Sequence, residues 1–210
     1  MDRIPASDVA FTPAVKAVQA RKGSRGTYAR MEAGGGWDTA ITADLADFIG
    51  AQTSIVLGTA NAAGQPYIQH RGGPAGFLRV RDEKTIAFAD FTGNRQFISL
   101  GNLADNPKAF LFLIDYATRR RIKIWGSARV VADDPELLAE LMPAGYQARP
   151  DQVIVFTVEA WNANCAQHIP QRMAAADVER ALALRDARIA ELEQRLAALD
   201  GSLAASQVPS

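Results

Sequence analysis

Between residues 53 and 161 the chain alternates short apolar segments with turns, and this pattern constrains the fold more than any other feature. The segments are rich in β-branched and aromatic residues, as strands are. Most of the connections contain Gly, Pro, Asn or Asp, which are common in turns. The strand-like segments cover residues 54–60, 67–71, 77–80, 85–91, 108–116, 122–131 and 152–161. Serial hairpins of this kind predict a mainly β fold, a closed antiparallel barrel with appended helices.

Several segments outside the strands carry helix signals. Pro13 suits the first turn of a helix, and Thr42 and Asp134 are good N-caps for the residues that follow them. The predicted helices cover residues 13–21, 43–49, 97–103, 135–142 and 176–199. The glycines at 34–36 predict a turn or a mobile segment.

These elements divide the chain into four parts. Residues 1–50 are expected to be a helical segment packed on the barrel, and residues 51–172 the barrel itself. Residues 173–200 are expected to form an amphipathic helix, and residues 201–210 a disordered tail.

The C-terminal helix has an apolar stripe with Arg and Glu between its members. The stripe consists of Val178, Leu182, Ile189, Leu192, Leu196 and Leu199. Much of it fits a heptad pattern, which favours pairing with another helix across a dimer. The alternative is that the stripe packs on the barrel of its own chain.

Two clusters that combine arginine, glycine and polar residues lie at the ends of two predicted strands. Gln69, His70, Arg71 and Gly72 end one strand, and residues 93–96 (Gly-Asn-Arg-Gln) follow another. Glycine allows the backbone to approach a ligand closely, and backbone N–H groups beside a guanidinium suit a phosphate. If the two strands pair as neighbours, Arg71 and Arg95 of these clusters would converge on one anion. The alternative is that both arginines are solvated.

Other polar residues give weaker signals. Arg121 begins a predicted strand, and alternation places it on the same face as Lys123. Cys165 is interpreted as a packing residue, since a thiolate nucleophile needs a base and a lowered pKa. The two histidines, His70 and His168, are far apart in sequence, so a zinc site is not expected.

Composition bounds the class of protein. The 210 residues include 23 basic and 23 acidic residues, a formal net charge of +0, which argues against a nucleic-acid or membrane-surface binder. The single cysteine excludes an internal disulfide. The N-terminal sequence has no apolar core typical of a signal peptide, so the cytoplasm is the expected location.

Four motifs together resemble the pyridoxamine 5'-phosphate oxidase-like flavoproteins, the FMN-binding split barrels. The motifs are QHRGGPAGF at 69–77, DFTGNRQ at 90–96, NPK at 106–108 and RIKIWG at 121–126. The later segment NCAQHIPQR at 164–172 resembles the C-terminal motif of one branch of these proteins. The resemblance implies an antiparallel split β-barrel, FMN as cofactor, and a homodimer with FMN at the subunit interface.

The resemblance also implies roles for particular residues. The strand carrying Gln69, His70, Arg71 and Gly72 and the break at 94–96 would hold the FMN phosphate and ribityl chain. The backbone of Ala89 and Asp90 would lie along the flavin. Contacts to the isoalloxazine or the substrate are implied for four residues: Arg121, Gln167, His168 and Arg172. The residues implied for the cofactor at the break are Asn94, Arg95 and Gln96, and His168 is the candidate catalytic residue.

One departure from the family pattern affects the substrate. The true oxidase carries an arginine-leucine-histidine-type motif for pyridoxal phosphate, where this chain has Gln-His-Ile at 167–169 and then Arg172. The sequence therefore predicts an FMN-dependent oxidoreductase acting through flavin N5 on an unknown substrate. Three alternatives stay open: a non-enzymatic flavin carrier; a haem or deazaflavin protein, with His70 or His168 as the axial ligand of a haem; and an interaction module with a dimerising helix.

Overall fold

The computed structural model describes residues 4–164 and 166–206, so Cys165 lies outside the described residues. A short 3-10 helix, Ala6–Val9, precedes the regular elements. The helices are α1 Pro13–Arg21, α2 Arg25–Ala33, α3 Ala43–Gly50, α4 Ile98–Asp105, α5 Pro135–Leu141 and α6 Ala175–Ser206. The strands are β1 Ser54–Ala60, β2 Pro66–Gly72, β3 Arg79–Asp82, β4 Thr85–Phe91, β5 Lys108–Asp115, β6 Arg120–Val131 and β7 Pro150–Asn164.

The described chain divides into two compact units. The first contains the residues up to Asp115 together with Arg120–Gln167, and therefore every strand. The second contains Tyr116–Arg119 and the residues from His168 onwards, including α6. Within the described ranges, no helix has the length and apolar character needed to cross a membrane.

The seven strands form one antiparallel sheet in the order β2-β1-β5-β6-β7-β4-β3. The sheet curls on itself. This is shown by an ion pair between Arg71 on β2 and Asp90 on β4, two strands that have four others between them in the sheet order. This is the predicted antiparallel split barrel with appended helices.

Side-chain alternation places the core inside the curled sheet. Leu57, Leu111, Ile124 and Phe156 are fully buried, while their strand neighbours on the other face are partly exposed or pack outside. Strand β4 is buried on both faces, because a second apolar cluster with Leu141 of α5 packs against it. Burial on both faces holds β4 firmly in place up to the start of the polar segment at residue 92.

Several sequence-based expectations need correction. The strand β2 pairs with β1, whereas β4 pairs with β3 and β7, so the strands preceding the two arginine clusters are not neighbours in the sheet. Helix α2 was not predicted, and the strand expected at 77–80 instead begins at Arg79. Helix α6 continues to Ser206, beyond the expected end at 200, and residues 207–210 of the expected tail lie outside the described residues.

Candidate functional site

A small polar cavity lies where the ends of β2 and β4 approach each other, and we call it the arginine site. Its volume is about 40 Å³, and it adjoins a second cavity of about 150 Å³ with which it shares Gln69, Arg71, Phe91 and Gly93. The arginine site is lined by Gln69, Arg71, Asp90, Phe91, Gly93, Asn94, Arg95, Phe97, Leu100, Asp151 and Gln152. Arg71 and Arg95 therefore converge on one cavity, although their strands do not pair.

The guanidinium of Arg71 is held by the carboxylate of Asp90. Arg71 Nε lies 2.7 Å from Asp90 Oδ1 in an ion pair, and Arg71 Nη2 donates a hydrogen bond to Asp90 Oδ2 at 3.5 Å. The two side chains are only 13% and 6% exposed. Gln152 Nε2 donates to Asp90 Oδ2 at 3.0 Å. Burial raises the pKa of Asp90 above its ordinary value, and this effect exceeds the opposing attraction of Arg71 and the hydrogen bond from Gln152.

The loop after β4 brings Arg95 to the cavity in an unusual backbone conformation. Arg95 and Phe97 have φ angles of 59° and 55°, in the left-handed region that non-glycine residues rarely adopt. Asn94 Oδ1 accepts a hydrogen bond from the backbone N–H of Gln96 at 3.3 Å, and Thr92 Oγ1 donates to Asp151 at 2.7 Å. Backbone strain of this kind clusters at ligand sites, where the surrounding structure maintains it.

Strand alternation separates the members of the first cluster. Gln69 and Arg71 face the arginine site, and Gln69 Oε1 accepts a hydrogen bond from Ser99 Oγ at 3.0 Å. His70 is exposed and points from the opposite face of β2. His70, Gly72 and Ala89 line the adjoining cavity of about 150 Å³.

A second cationic group lies on the outer face of β6. Arg121 and Lys123 alternate with the buried Ile122 and Ile124, as the sequence predicts. Arg121 Nε is buried and has no hydrogen-bond partner among the described residues. Burial, together with the nearby charge of Arg121, lowers the pKa of Lys123, whose Nζ lies 5.4 Å from the centre of the Trp125 ring. A bound hydrogen-bond acceptor would satisfy the Nε of Arg121, and a bound anion would stabilise the charge of Lys123.

The remaining predicted site residues lie elsewhere. Gln96 is exposed beside the arginine site and Gln167 is exposed at the end of the first unit. His168 and Arg172 belong to the second unit, where His168 has a φ of 61° and the Arg172 guanidinium lies 4.5 Å from the centre of the Tyr116 ring. The roles implied for these residues stay predictions.

Sequence reasoning missed three polar residues of these two regions and gave a fourth, Lys123, no role. Gln152 and Asp151 come from β7, some 60 residues after β4, and only the sheet register brings them beside Asp90 and Thr92. Ser99 lies on α4, and its position in a predicted helix gives no indication of its hydrogen bond to Gln69. Lys123 had a usable signal, since it follows Arg121 by two residues on the same face of a strand.

A larger cavity, of about 930 Å³, lies under the N-terminal segment. Its walls include Glu32 and Thr39 from that segment and Lys108, Trp125 and Glu159 from the sheet. It shares no lining residue with the arginine site, and its carboxylates at Glu32 and Glu159 are in ion pairs. The larger volume of this cavity is therefore not evidence that it is the functional site.

The chain belongs to the pyridoxamine 5'-phosphate oxidase family, whose model matches residues 41–165. This range contains all seven strands and every residue of the arginine site. No curated protein matches the chain.

Solved structures of similar proteins include three of interest. HupZ from Group A Streptococcus is 24% identical, with a TM-score of 0.48 over 63% of this chain and 99% of HupZ. An FMN-binding protein from Syntrophomonas wolfei is 11% identical, with a TM-score of 0.45 over 72% and 97% of the two chains. HutZ, a haem storage protein from Vibrio cholerae, is 16% identical, with a TM-score of 0.39 over 59% and 93%.

Proposed function

We propose that this protein binds FMN and that the arginine site receives its phosphate. The observation that carries the proposal is the convergence of Arg71 and Arg95 on one cavity. Asp90 orients the Arg71 guanidinium through Nε and Nη2, so that Nη1 can donate to a phosphate in a charge-assisted hydrogen bond. Asn94 and the strained backbone at residues 95–97 add polar groups beside the same cavity.

The residues present fit FMN at a second point as well. The Nε of Arg121 is buried and has no partner in the part of the chain that the structure describes, so it needs an acceptor, which the polar edge of an isoalloxazine ring would provide. A positive group beside that edge stabilises the anionic reduced flavin, and Lys123 adds a second cation on the same face. Bound FMN would supply hydride or electron transfer, which no side chain of this chain can perform.

The proposed activity is that of an oxidoreductase in the cytoplasm, with a small-molecule substrate or electron donor of unknown identity. His168 remains the candidate catalytic residue, and Gln167 and Arg172 the candidate substrate contacts. We further propose a homodimer with FMN at the interface. Apolar side chains on the outer face of the sheet support this, since Ile68 is 70% exposed and Phe110 lies next to it across β1.

The phosphate assignment is tested by comparing FMN with riboflavin, which lacks the phosphate. Arg95→Ala should weaken FMN binding by about tenfold to a hundredfold, the usual value of a hydrogen bond to a charged group, and should leave riboflavin affinity nearly unchanged. Arg95 is exposed, so its loss should not disturb folding. Quenching of flavin fluorescence measures both affinities.

Arg129→Ala is the matched control, since Arg129 is an exposed arginine of β6 that does not line the arginine site. It should bind FMN like the wild type. Equal losses for FMN and riboflavin in Arg95→Ala would contradict the phosphate assignment, because the effect would then not depend on the phosphate.

The visible spectrum of the purified protein separates the cofactor classes. Bands near ~375 and ~450 nm, with FMN released on denaturation, would support the proposal and justify assays with NADH and NADPH. A Soret band would favour haem and direct attention to His70 and His168. A colourless protein that fails to take up added FMN would exclude the flavin proposal.

A further inference from the structure

Helix α6 presents a regular apolar stripe to solvent. Val178, Leu182, Ile189 and Leu192 are each between 42% and 45% exposed, and the stripe continues with Leu196. The spacings along it are four, seven, three and four residues. Alternating steps of three and four are the signature of a two-per-heptad seam rather than of a broad face that covers a globular core.

The heptad register follows from these spacings. Positions a are Leu182, Ile189 and Leu196, and positions d are Val178, Arg185 and Leu192. The seam extends over three heptads, which is long enough to pair, and contains one polar residue, Arg185. A single polar residue in such a seam costs stability and favours one register over others.

The charges beside the seam are separated by sign. The e positions are all acidic, namely Glu179, Asp186 and Glu193. The g positions are Ala181, Arg188 and Arg195, so every charged g position is basic. Within the helix, Arg188 and Arg195 both contact Glu191, at 2.5 and 3.0 Å, while Glu193 makes no ion pair among the described residues.

This separation discriminates between the two ways in which a helix can pair with its own copy. In a parallel pair, each g position meets the e position five residues later on the partner, so Arg188 meets Glu193 of the second copy. In an antiparallel pair, g meets g and e meets e, which opposes arginine to arginine and acid to acid. The sequence of α6 is therefore compatible with parallel pairing and resists antiparallel pairing.

We propose that α6 forms a parallel, in-register two-stranded coiled coil with a second copy of this chain. The apolar side chains of the seam form the contact between the two helices. The charges at the e and g positions favour the parallel orientation, and Arg185 favours one register. The family match ends at residue 165, so this interface is an addition to the family domain and does not rest on the proposed flavin function. A parallel pair has a two-fold axis, as a homodimer requires.

Cysteine cross-linking tests orientation and register in the full-length protein. Val178→Cys and Leu192→Cys are prepared separately in a Cys165→Ser background, which removes the only native cysteine. In a parallel in-register pair both positions face their own copies, so each variant should form a covalent dimer under mild oxidation. An antiparallel pair can place at most one position of the helix against its own copy.

The matched control is Gln194→Cys, because position 194 is an f position on the side opposite the seam. It should cross-link far more slowly. Cross-linking of Leu192→Cys alone would indicate antiparallel pairing and overturn the proposal. Equal rates in the control, or no cross-linking in either seam variant, would also overturn it, since the seam would then not be the contact.

A charge swap tests the predicted pair between the two copies. In the Leu192→Cys background, Arg188→Glu and Glu193→Arg should each lower the effective concentration of the two thiols, measured by equilibration with oxidised and reduced glutathione, by about threefold to tenfold. The double swap should restore it. Positions 188 and 193 are five apart and are not neighbours on one helix, so rescue requires a partner in parallel register. A double swap as weak as the single changes would contradict the pairing.

Discussion

At the scale of single residues, the ion pair between Arg71 and Asp90 determines the net charge of the arginine site and the orientation of its guanidinium. Both side chains are nearly buried, so the carboxylate neutralises part of the charge that a phosphate would otherwise use. In return it fixes the guanidinium, which lowers the entropic cost of binding an anion. Asp90 is thus a positioning residue, and Gln152 holds its second oxygen.

Removing Arg71 alone should destabilise the protein in a pH-dependent way. Arg71→Met leaves a buried carboxylate without its cation and should cost about 2–4 kcal/mol of unfolding free energy at neutral pH. The pKa of Asp90, already above its ordinary value of 3.8, should rise further. Above pH 3.8 the folded variant then holds a proton on Asp90 that the unfolded chain releases, so the variant loses stability as pH rises. The difference in stability between Arg71→Met and the wild type should therefore grow as pH rises above the pKa that Asp90 has in the wild type.

The matched variant is Arg71→Met combined with Asp90→Asn, which removes both charges. It should recover most of the lost stability and show no such pH dependence. Urea denaturation at pH 5 and pH 7.5 measures both effects. A deficit in Arg71→Met that is equal at the two pH values would mean that the Asp90 charge is not its cause.

The site residues differ in how far sequence could predict them. Arg71 and Arg95 were predictable, since each stands in a local cluster with glycine and polar neighbours at the end of a strand. Gln152 was not, because its position beside Asp90 depends on a sheet register between strands 62 residues apart. Local patterns carry no information about such pairing, which the packing of the whole sheet decides.

At the scale of elements, most of the strands were predictable from alternation, whereas α2 was not. Its residues, Arg25–Ala33, are polar on most sides, and its N-cap Ser24 makes no side-chain hydrogen bond. Tertiary contacts stabilise it instead, namely the hydrogen bond from Arg25 to Gln19 of α1 and the edge contact between Tyr28 and Phe11. Contacts of this kind leave no periodic signal in the sequence.

The bulge in β7 at Glu159 lies opposite Gly126 of β6 and depends on that glycine. A Cβ at this position would lie 2.0 Å from the backbone oxygen of Thr157 and 2.8 Å from the Phe156 ring, and a backbone atom cannot move aside as a flexible side chain can. The register between β6 and β7 shifts at this residue. Gly126→Ala should therefore destabilise the barrel by about 3 kcal/mol or more.

Gly101→Ala is the control for this prediction. Gly101 lies in α4, and a Cβ there would meet no atom within 4 Å. This change should be neutral or should stabilise the protein by about 0.5–1 kcal/mol, because alanine favours the helix. Chemical denaturation compares the two variants, and similar stabilities would show that the bulge adapts to a side chain.

At the scale of the whole chain, the segment before residue 41 adds contacts that the family model does not include. Trp37 stacks on Trp125 of β6, with ring centres 4.6 Å apart. The backbone oxygens of Asp38 and Ala40 accept hydrogen bonds from Trp161, at 2.9 Å from its backbone nitrogen and 2.8 Å from its indole nitrogen. The segment therefore packs on β6 and β7 and belongs to the same compact unit as the barrel rather than forming a separate domain.

If FMN lies between two barrels, its binding and the association of the barrels must be linked. A cofactor that contacts both subunits binds the dimer more tightly than the monomer, so FMN should lower the dissociation constant of the dimer by about tenfold or more. Arg188→Glu, which weakens pairing through α6, provides a background in which association of the barrels dominates. Sedimentation velocity across a range of protein concentrations, with and without FMN, measures the dissociation constant.

The same measurement on Arg188→Glu combined with Arg95→Ala is the control, because loss of the phosphate contact should remove most of the FMN effect at equal FMN concentration. Riboflavin should act more weakly than FMN for the same reason. Fluorescence quenching in parallel establishes that FMN is bound. A dissociation constant that stays the same while FMN is bound would place the cofactor within one subunit, and the homodimer would then owe its stability to the apolar outer face and α6 alone.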